Sequence, residues 1–323
     1  MAAAGNNNIF VYLGGNQEVP FRVSHAVIDP SVNIVSREAF RRRQLLQSVI
    51  FHGGVEIIEA DAFYRCLCFR GGIKLLGVRE IRDRAFFNCQ VTDVEFGDRL
   101  ETIGHSAFHF CKSLRSIKSL SVRSIQPQAF SDCEQLTEAE FGSDLEIIGC
   151  HSFHYCPNLQ RIAIPLKDNL FPIDPVENRY TQFRNCDNLT TVDIVGTEGV
   201  HNTISSFLIE SWKDEINEEI HRINRELPNT FSTAKTNVIQ LWVRSVINML
   251  DHYKAEHNRL LNEHMTLLEL AVWKAKLDEK EEDSTQRVQR KRAKIEKSTR
   301  EEKRITSGAD TIIKNVLPFL KLQ

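Results

Sequence analysis

The chain has 323 residues, of which 41% are hydrophobic and 26% charged, and its formal net charge is −2. This composition is typical of a globular protein and excludes a largely disordered chain, and the near-neutral charge argues against global steering toward nucleic acid or acidic lipid. The opening stretch MAAAGNNNIFVYLGG lacks the basic and apolar regions of a secretory signal, and no window holds the roughly 18 apolar residues of a membrane span. We therefore expect an intracellular protein, cytoplasmic or nuclear, with reduced cysteines.

A repeat runs through the first two thirds of the chain. Phenylalanines recur at steps of 22 or 23 residues before a last step of 30, and a fixed period in the twenties is the signature of a solenoid. In the first six copies, apolar residues precede each phenylalanine by eight and by five positions, and a small residue comes directly before it. Cysteine follows three positions later except in the first copy, which has Arg43. The phenylalanines are Phe40, Phe63, Phe86, Phe108, Phe130, Phe153 and Phe183.

The recurring cysteines have a packing interpretation. Small, weakly polar side chains suit a tight bend that has no room for larger groups. Side chains in register on neighbouring coils point in parallel at about 4.8 Å, whereas a disulfide needs β-carbons about 3.8 Å apart. We therefore predict free, structural thiols and no redox or metal centre. Cys68 and Cys150 lie outside this column and are better candidates for reactivity, although ordinary burial remains the favoured interpretation.

Downstream of the cysteines, Leu159-x-x-Ile162-x-Ile164 alternates as a short strand with one buried face does. Together, the columns V-x-x-I-G-x-x-A-F-x-x-C and L-x-x-I-x-I resemble the BspA-type leucine-rich repeat. The best copies are LETIGHSAFHFCKSLRSI and LEIIGCHSFHYCPNLQRI, and the resemblance covers about residues 25–195. It implies an α/β repeat solenoid of the leucine-rich-repeat, BspA-like class that binds other macromolecules, with no catalytic residues and no cofactor.

Two coils depart from the pattern. Residues 66–81 place glycines where strand residues belong, and the coil that ends at Phe183 carries seven to eight extra residues, including three prolines. We expect this insertion, residues 165–182, to protrude as a loop, and loops on rigid scaffolds often carry recognition.

Beyond Gly199 the repeat gives way to helical patterns. Apolar residues at three- to four-residue steps predict a first amphipathic helix that ends at Pro228 and a longer second helix that reaches Ala271. The short connection favours an antiparallel hairpin, which packs within the molecule or self-associates. The candidate helix caps are Ser205 or Ser206 for the first helix and Thr230 or Ser232 for the second.

Composition then divides the chain into five parts. A charged stretch separates the hairpin from a final apolar segment, and we expect that segment to dock on the chain's own helices or on a partner. The parts are an N-terminal cap segment 1–24, a solenoid of about seven coils 25–200, a helical hairpin 201–276, a charged linker or solvated helix 277–305, and an apolar segment 306–323.

Motifs of known chemistry are missing from the sequence. It has no phosphate-binding loop, no dinucleotide-binding G-x-G-x-x-G and no H-E-x-x-H. We expect no catalytic residue, no cofactor and no metal site, and interpret the chain as a non-catalytic scaffold for protein partners that the sequence does not identify. One alternative is nucleic-acid association through residues 287–304, which acidic neighbours disfavour. Another is an enzyme with a pocket near residues 165–182.

The candidate partner-binding positions lie between the buried positions of the strands. Their charges alternate in sign, which suits protein recognition better than phosphate binding. They are Arg115, Ser116, Lys118, Thr137, Glu138, Glu140, Gln160, Arg161, Ala163, Thr190, Thr191 and Asp193.

Overall fold

The computed structural model describes residues 9–195, 204–207 and 209–293, with side chains to residue 280. The chain divides into two compact units, Met1–Asp251 and His252–Gln323. In the first unit, parallel strands stack coil upon coil, and a helical region follows them. The predicted repeat solenoid with helices after it is therefore confirmed, and the regular elements within its coils are strands joined by bends.

The longer strands form one row, and each pairs in parallel with its neighbours. They make a three-stranded sheet, β1-β2-β4, and a six-stranded sheet, β15-β14-β12-β10-β8-β6. Their bounds are β1 Ile9–Tyr12, β2 His25–Ile28, β4 Ser48–Ile50, β6 Arg70–Leu75, β8 Gln90–Phe96, β10 Ser116–Ser119, β12 Glu138–Phe141, β14 Arg161–Pro165 and β15 Thr191–Val195.

Two-residue strands form the second row, also parallel and six strands wide. Along the chain, each short strand follows the long strand of its own coil and precedes that of the next coil, so the chain alternates between the two rows. Their bounds are β3 Ile34–Val35, β5 Ile57–Ile58, β7 Glu80–Ile81, β9 Thr102–Ile103, β11 Ser124–Ile125 and β13 Ile147–Ile148.

The glycine-rich coil keeps its strand despite its sequence. Gly71 and Gly72 lie within β6, and its pairing with β8 shifts register between them, so that Thr92 has no opposite residue. Gly71 has a φ of 84°, a backbone conformation open to glycine at little cost. The pair thus supplies an irregularity in the ladder and does not interrupt the sheet.

The phenylalanine column is the centre of the core. All seven rings are fully buried, and neighbouring ring centroids lie between 4.9 Å, for Phe40 and Phe63, and 5.6 Å, for Phe153 and Phe183. The backbone bonds follow the same repeat: the N–H of Phe63, for example, donates to the carbonyl of Ala85 one coil further on, at 2.7 Å. Ring stacking and backbone bonding therefore join each coil to the next at the same bend.

The cysteine column completes this bend. Each buried thiol donates to the carbonyl oxygen of the phenylalanine in the preceding coil, from 2.9 Å for Cys186 to 3.3 Å for Cys133. Burial raises the pKa of Cys111 to about 12 and those of its column neighbours Cys89 and Cys133 well above the usual range. All eight cysteines are free, which confirms the prediction of free, structural thiols in the column.

The helices begin and end at different residues from those predicted. α1 spans Glu210–Glu226 and is preceded by Ile209, which makes no side-chain cap bond, so Ser205 and Ser206 do not cap it. A short 3-10 turn follows, and then α2 spans Lys235–Ala293, well beyond Ala271. The Thr230 hydroxyl donates to Glu226 O and so closes α1. Residues 306–323 lie outside the described residues.

The two helices close the last coil of the solenoid. The N–H of Phe183, which in every earlier coil would meet a backbone carbonyl, donates to Thr236 Oγ1 at 2.9 Å. Lys235 Nζ donates to the carbonyls of Asp187 and Leu189 at 2.7 and 2.6 Å. The Lys235 side chain is buried, and this burial lowers its pKa. Side chains of α2 thus take the place of a further coil.

Thiol labelling checks the cysteine column. With iodoacetamide at about pH 8, we expect the native protein to react at Cys68 and Cys150, which are half-buried, and not at the six column thiols, which are fully buried. Mass spectrometry locates the modified residues. In concentrated urea all eight should react, and native labelling of Cys111 or Cys133 would contradict the assignment.

The Thr236 cap is tested by two substitutions. Thr236→Val keeps the shape but removes the acceptor of the buried Phe183 N–H, so we expect a loss of about 1–3 kcal/mol in the free energy of unfolding. Thr236→Ser keeps the hydroxyl and serves as the control, with a loss under about 1 kcal/mol. Urea unfolding followed by circular dichroism measures both, and equal losses would show that the hydroxyl does not matter.

Candidate protein-binding surface

The outward side of the six-stranded sheet carries two rows of side chains, which we call the sheet face. The strand register places them one coil apart: Ser116 pairs with Asp93 and Glu138 in the first row, and Lys118 pairs with Glu95 and Glu140 in the second. The residue between the two rows, Ile117 on β10, points inward and is buried. Alternation along each strand therefore separates a mostly apolar inside from a polar outside.

Ion pairs run along the sheet face from coil to coil. Lys118 Nζ lies 2.8 Å from a carboxylate oxygen of Glu140, and Arg161 Nε lies 2.5 Å from Asp193 and its guanidinium 3.9 Å from Glu140. These side chains all keep contact with solvent, with exposed fractions from 30% for Glu140 to 64% for Lys118, so each pair contributes about 1 kcal/mol or less to stability. The fold consequently depends little on which charges occupy these positions.

Apart from Ala163, seven of the predicted positions lie in these two rows, and the residues just before the strands form the edge of the sheet face. Arg115, Thr137 and Gln160 are exposed where successive strands begin, and Thr190 and Thr191 are half-buried on the last coil. Ala163 was predicted to be exposed, and this is wrong: its exposed fraction is 1%. Pro165, two positions later on β14, is buried as well, so the outward side of this strand is covered from Ala163 onward.

The sheet face also extends beyond the residues predicted for it. Lys74 on β6 pairs with Glu95 on β8 at 2.8 Å, and Asp93 lies in the row of Ser116. The prediction missed these residues because it began at the coil of Cys111, where the strand pattern is most regular. The alternation in RGGIKL and QVTDVEF was a usable signal for them.

The insertion 165–182 is held by its own polar contacts. Asp174 Oδ1 accepts the backbone N–H groups of Val176 and Glu177 at 2.8 and 2.9 Å, and its backbone N–H donates to Arg179 O. The bond from Glu177 is the largest of several that lower the pKa of Asp174. His151 Nε2 lies 3.0 Å from the second carboxylate oxygen. This network holds the turn that leaves Val176 91% exposed.

A second pair of contacts fixes the other end of the insertion. Glu177 pairs with Arg179 and, at 2.9 Å, with Arg184, and the bond from Arg179 is the main cause that lowers the pKa of Glu177. Near residues 165–182, where the sequence offered an enzyme pocket as an alternative, these charged groups therefore form ion pairs with one another. Over the part of the chain that the structure describes, no three His, Cys, Asp or Glu side chains are arranged to hold a metal ion.

The repeat geometry agrees with a family assignment. A family model described as BspA type leucine-rich repeat region matches residues 21–71, 79–202 and 122–225 in six copies, well over half of the chain. The chain belongs to this BspA-type leucine-rich repeat family. A search of curated proteins found no match.

Solved leucine-rich repeat structures are similar to this BspA-type chain. A T. pallidum leucine-rich repeat protein is 23% identical over 52% of this chain and 68% of its own, with a TM-score of 0.38. A Bacteroides ovatus leucine-rich repeat protein is 20% identical over 55% of this chain and 53% of its own, with a TM-score of 0.36. A leucine-rich cell surface protein of Faecalibacterium prausnitzii is 16% identical over 56% and 75%, with a TM-score of 0.23.

Two further observations concern membrane-spanning helices and the alternative nucleic-acid site. Among the helical residues that the structure describes, no stretch is both long and apolar enough to cross a membrane. The basic segment 287–304, the alternative nucleic-acid site, lies beyond the described side chains.

Limited proteolysis tests the insertion. Asp174→Ala removes the acceptor of two backbone N–H groups and the partner of His151, so we expect trypsin to cleave after Arg179 about ten-fold faster than in the unaltered protein. Asp144→Ala, at an exposed turn between β12 and β13, is the control and should leave the rate unchanged. Equal cleavage rates in the two variants would show that Asp174 does not hold the loop.

Proposed function

We propose that this protein is a non-catalytic scaffold that binds another protein through the sheet face. The observation that carries the proposal is that the inner side of the sheet stabilises the fold, whereas the outer side contributes little to stability. Stacked rings, thiols and backbone bonds inside the coils hold the strands in register, while the exposed rows take little part in stability. A surface of this kind can present many different combinations of side chains without change of fold.

The charge pattern supports a protein as the partner. Acidic and basic residues alternate along the sheet face, for example Lys74, Glu95, Lys118 and Glu140 on successive strands. Alternating charge discriminates between protein partners by complementarity, whereas nucleic acid binding depends on an excess of positive charge. Arg115 is exposed, and among the described residues it has no ion-pair partner, so it is available for a contact.

The cysteines support an intracellular site of action. Eight free thiols in one chain are typical of a reducing compartment. The proposal therefore places the scaffold inside the cell, with its six column thiols serving only the packing of the bend.

Site-specific photo-crosslinking tests the proposal. A photoreactive amino acid at Thr137, on the sheet face, should give discrete adducts with a protein partner in extracts of the source cells. The same amino acid at Glu146, exposed beside β13 in the other sheet, should give none of them. Adducts of equal yield at both positions, or none at Thr137, would contradict binding through the sheet face.

Charge reversal then tests the role of the surface charge. Arg115→Glu should lower the yield of the Thr137 adduct about five-fold or more, because it replaces an unpaired positive charge beside the probe. Arg123→Glu changes the same residue type outside the sheet face and should leave the yield unchanged. Circular dichroism of both variants confirms that the fold is retained.

A further inference from the structure

The distal part of α2 carries large apolar side chains on its surface. Met265 and Val272 are 47% and 44% exposed, and Leu261 and Leu268 are half-buried. These four residues are spaced by four, three and four positions, which places them on one side of an α-helix; we call them the α2 apolar face. A helix surface with such a stripe is stable in water when another apolar surface covers it.

The opposite side of α2 is less continuous. Leu267, Leu270 and Leu277 are exposed there, but Lys274 interrupts the stripe at the position where an apolar residue would continue it. The α2 apolar face has no such interruption between Leu261 and Val272. It is therefore the better of the two surfaces for a second helix.

The C-terminal segment 306–323 has the matching chemistry. Its sequence, TSGADTIIKNVLPFLKLQ, places Ile312, Ile313, Val316, Leu317 and Leu320 at steps of one or three residues. The pattern predicts a short helix with one apolar side, which cannot be buried within the segment itself. Asp310 can cap this helix and Pro318 interrupts it, so the helical part is about eight residues and spans about 12 Å, or two turns of the α2 apolar face.

The connecting chain is long enough for the segment to return along α2. From Leu277 to the end of the described helix at Ala293, α2 rises about 24 Å. Residues 294–305 can span up to about 40 Å when extended. The start of the segment can consequently reach the level of Leu277, and its end can reach the level of Leu261 when it runs antiparallel to α2.

A second copy of the chain is a poorer match. Pairing two α2 helices would cover the α2 apolar face but would leave the apolar residues of 306–323 without a partner in both copies. The tethered segment covers both surfaces at once, and a short tether gives it an effective concentration on the order of millimolar. We propose that residues 306–323 fold back and dock on the α2 apolar face, antiparallel to α2.

Hydrogen exchange of the full-length protein tests this docking. Deleting residues 306–323 should raise the exchange rates of amides between Leu260 and Leu277 about ten-fold, because the cover that opposes local opening is removed. The exchange of the solenoid should not change. A synthetic peptide of residues 306–323, added to the shortened protein, should restore the protection.

Point substitutions separate docking from general destabilisation. Leu268→Glu, on the α2 apolar face, and Leu317→Glu, in the segment, should each reproduce the effect of the deletion. Leu270→Glu is the matched control, since it makes the same change two residues away on the opposite side of α2. Its effect on exchange should stay below about three-fold.

Three results would overturn the proposal. Unchanged exchange after deletion would show that the segment does not cover α2. Protection that is lost on about twenty-fold dilution of the full-length protein would assign the cover to a second copy. Equal effects of Leu268→Glu and Leu270→Glu would show that the α2 apolar face has no special role.

Discussion

The contact between successive coils at the phenylalanine bend is the constraint on which the rest of the structure depends. At each bend a buried ring stacks on the next, a backbone N–H reaches forward to the following coil, and a thiol reaches back to the preceding phenylalanine carbonyl, as Cys111 does to Phe86 at 3.1 Å. A single coil would leave all three of these groups without partners. Stability is therefore a property of the stack, with each interface adding to the next.

A stack of this kind needs both of its ends closed. At the first coil the ring of Tyr12 lies 5.2 Å from that of Phe40, and Arg43, which replaces the column cysteine, donates to Val19 O at 2.8 Å. At the last coil Thr236 and Lys235 supply the acceptor and the donors that a further coil would have provided. The start of α2 is thus a structural part of the solenoid, since without it the Phe183 N–H would be buried and unpaired.

The interior was predictable from the sequence, and the ends and local contacts were not. The interior could be predicted because the residue types of Phe108 and Cys111 recur at the equivalent positions of the other copies. Thr236 forms its bond across 53 positions to a residue in a different kind of element, and no period reveals such a contact. The prediction for Ala163 failed for a related reason: strand alternation gives the side of the sheet on which a residue lies, but not whether other parts of the chain cover that side.

If a protein partner binds the sheet face as proposed, the ion pairs already present there limit what its own charges contribute to affinity. Lys118 and Arg161 already have carboxylate neighbours, so a partner that presents its own charges exchanges one set of exposed pairs for another and gains little net free energy from them. Such charges serve mainly to reject partners with the wrong pattern. Affinity then has to come from groups without such neighbours on the sheet face, of which Arg115 is one, and from apolar contacts such as Val176, which the Asp174 network holds in the solvent. Under the proposed function, the sheet face would act chiefly in selection, and Val176 would supply an apolar contact that stabilises the selected complex.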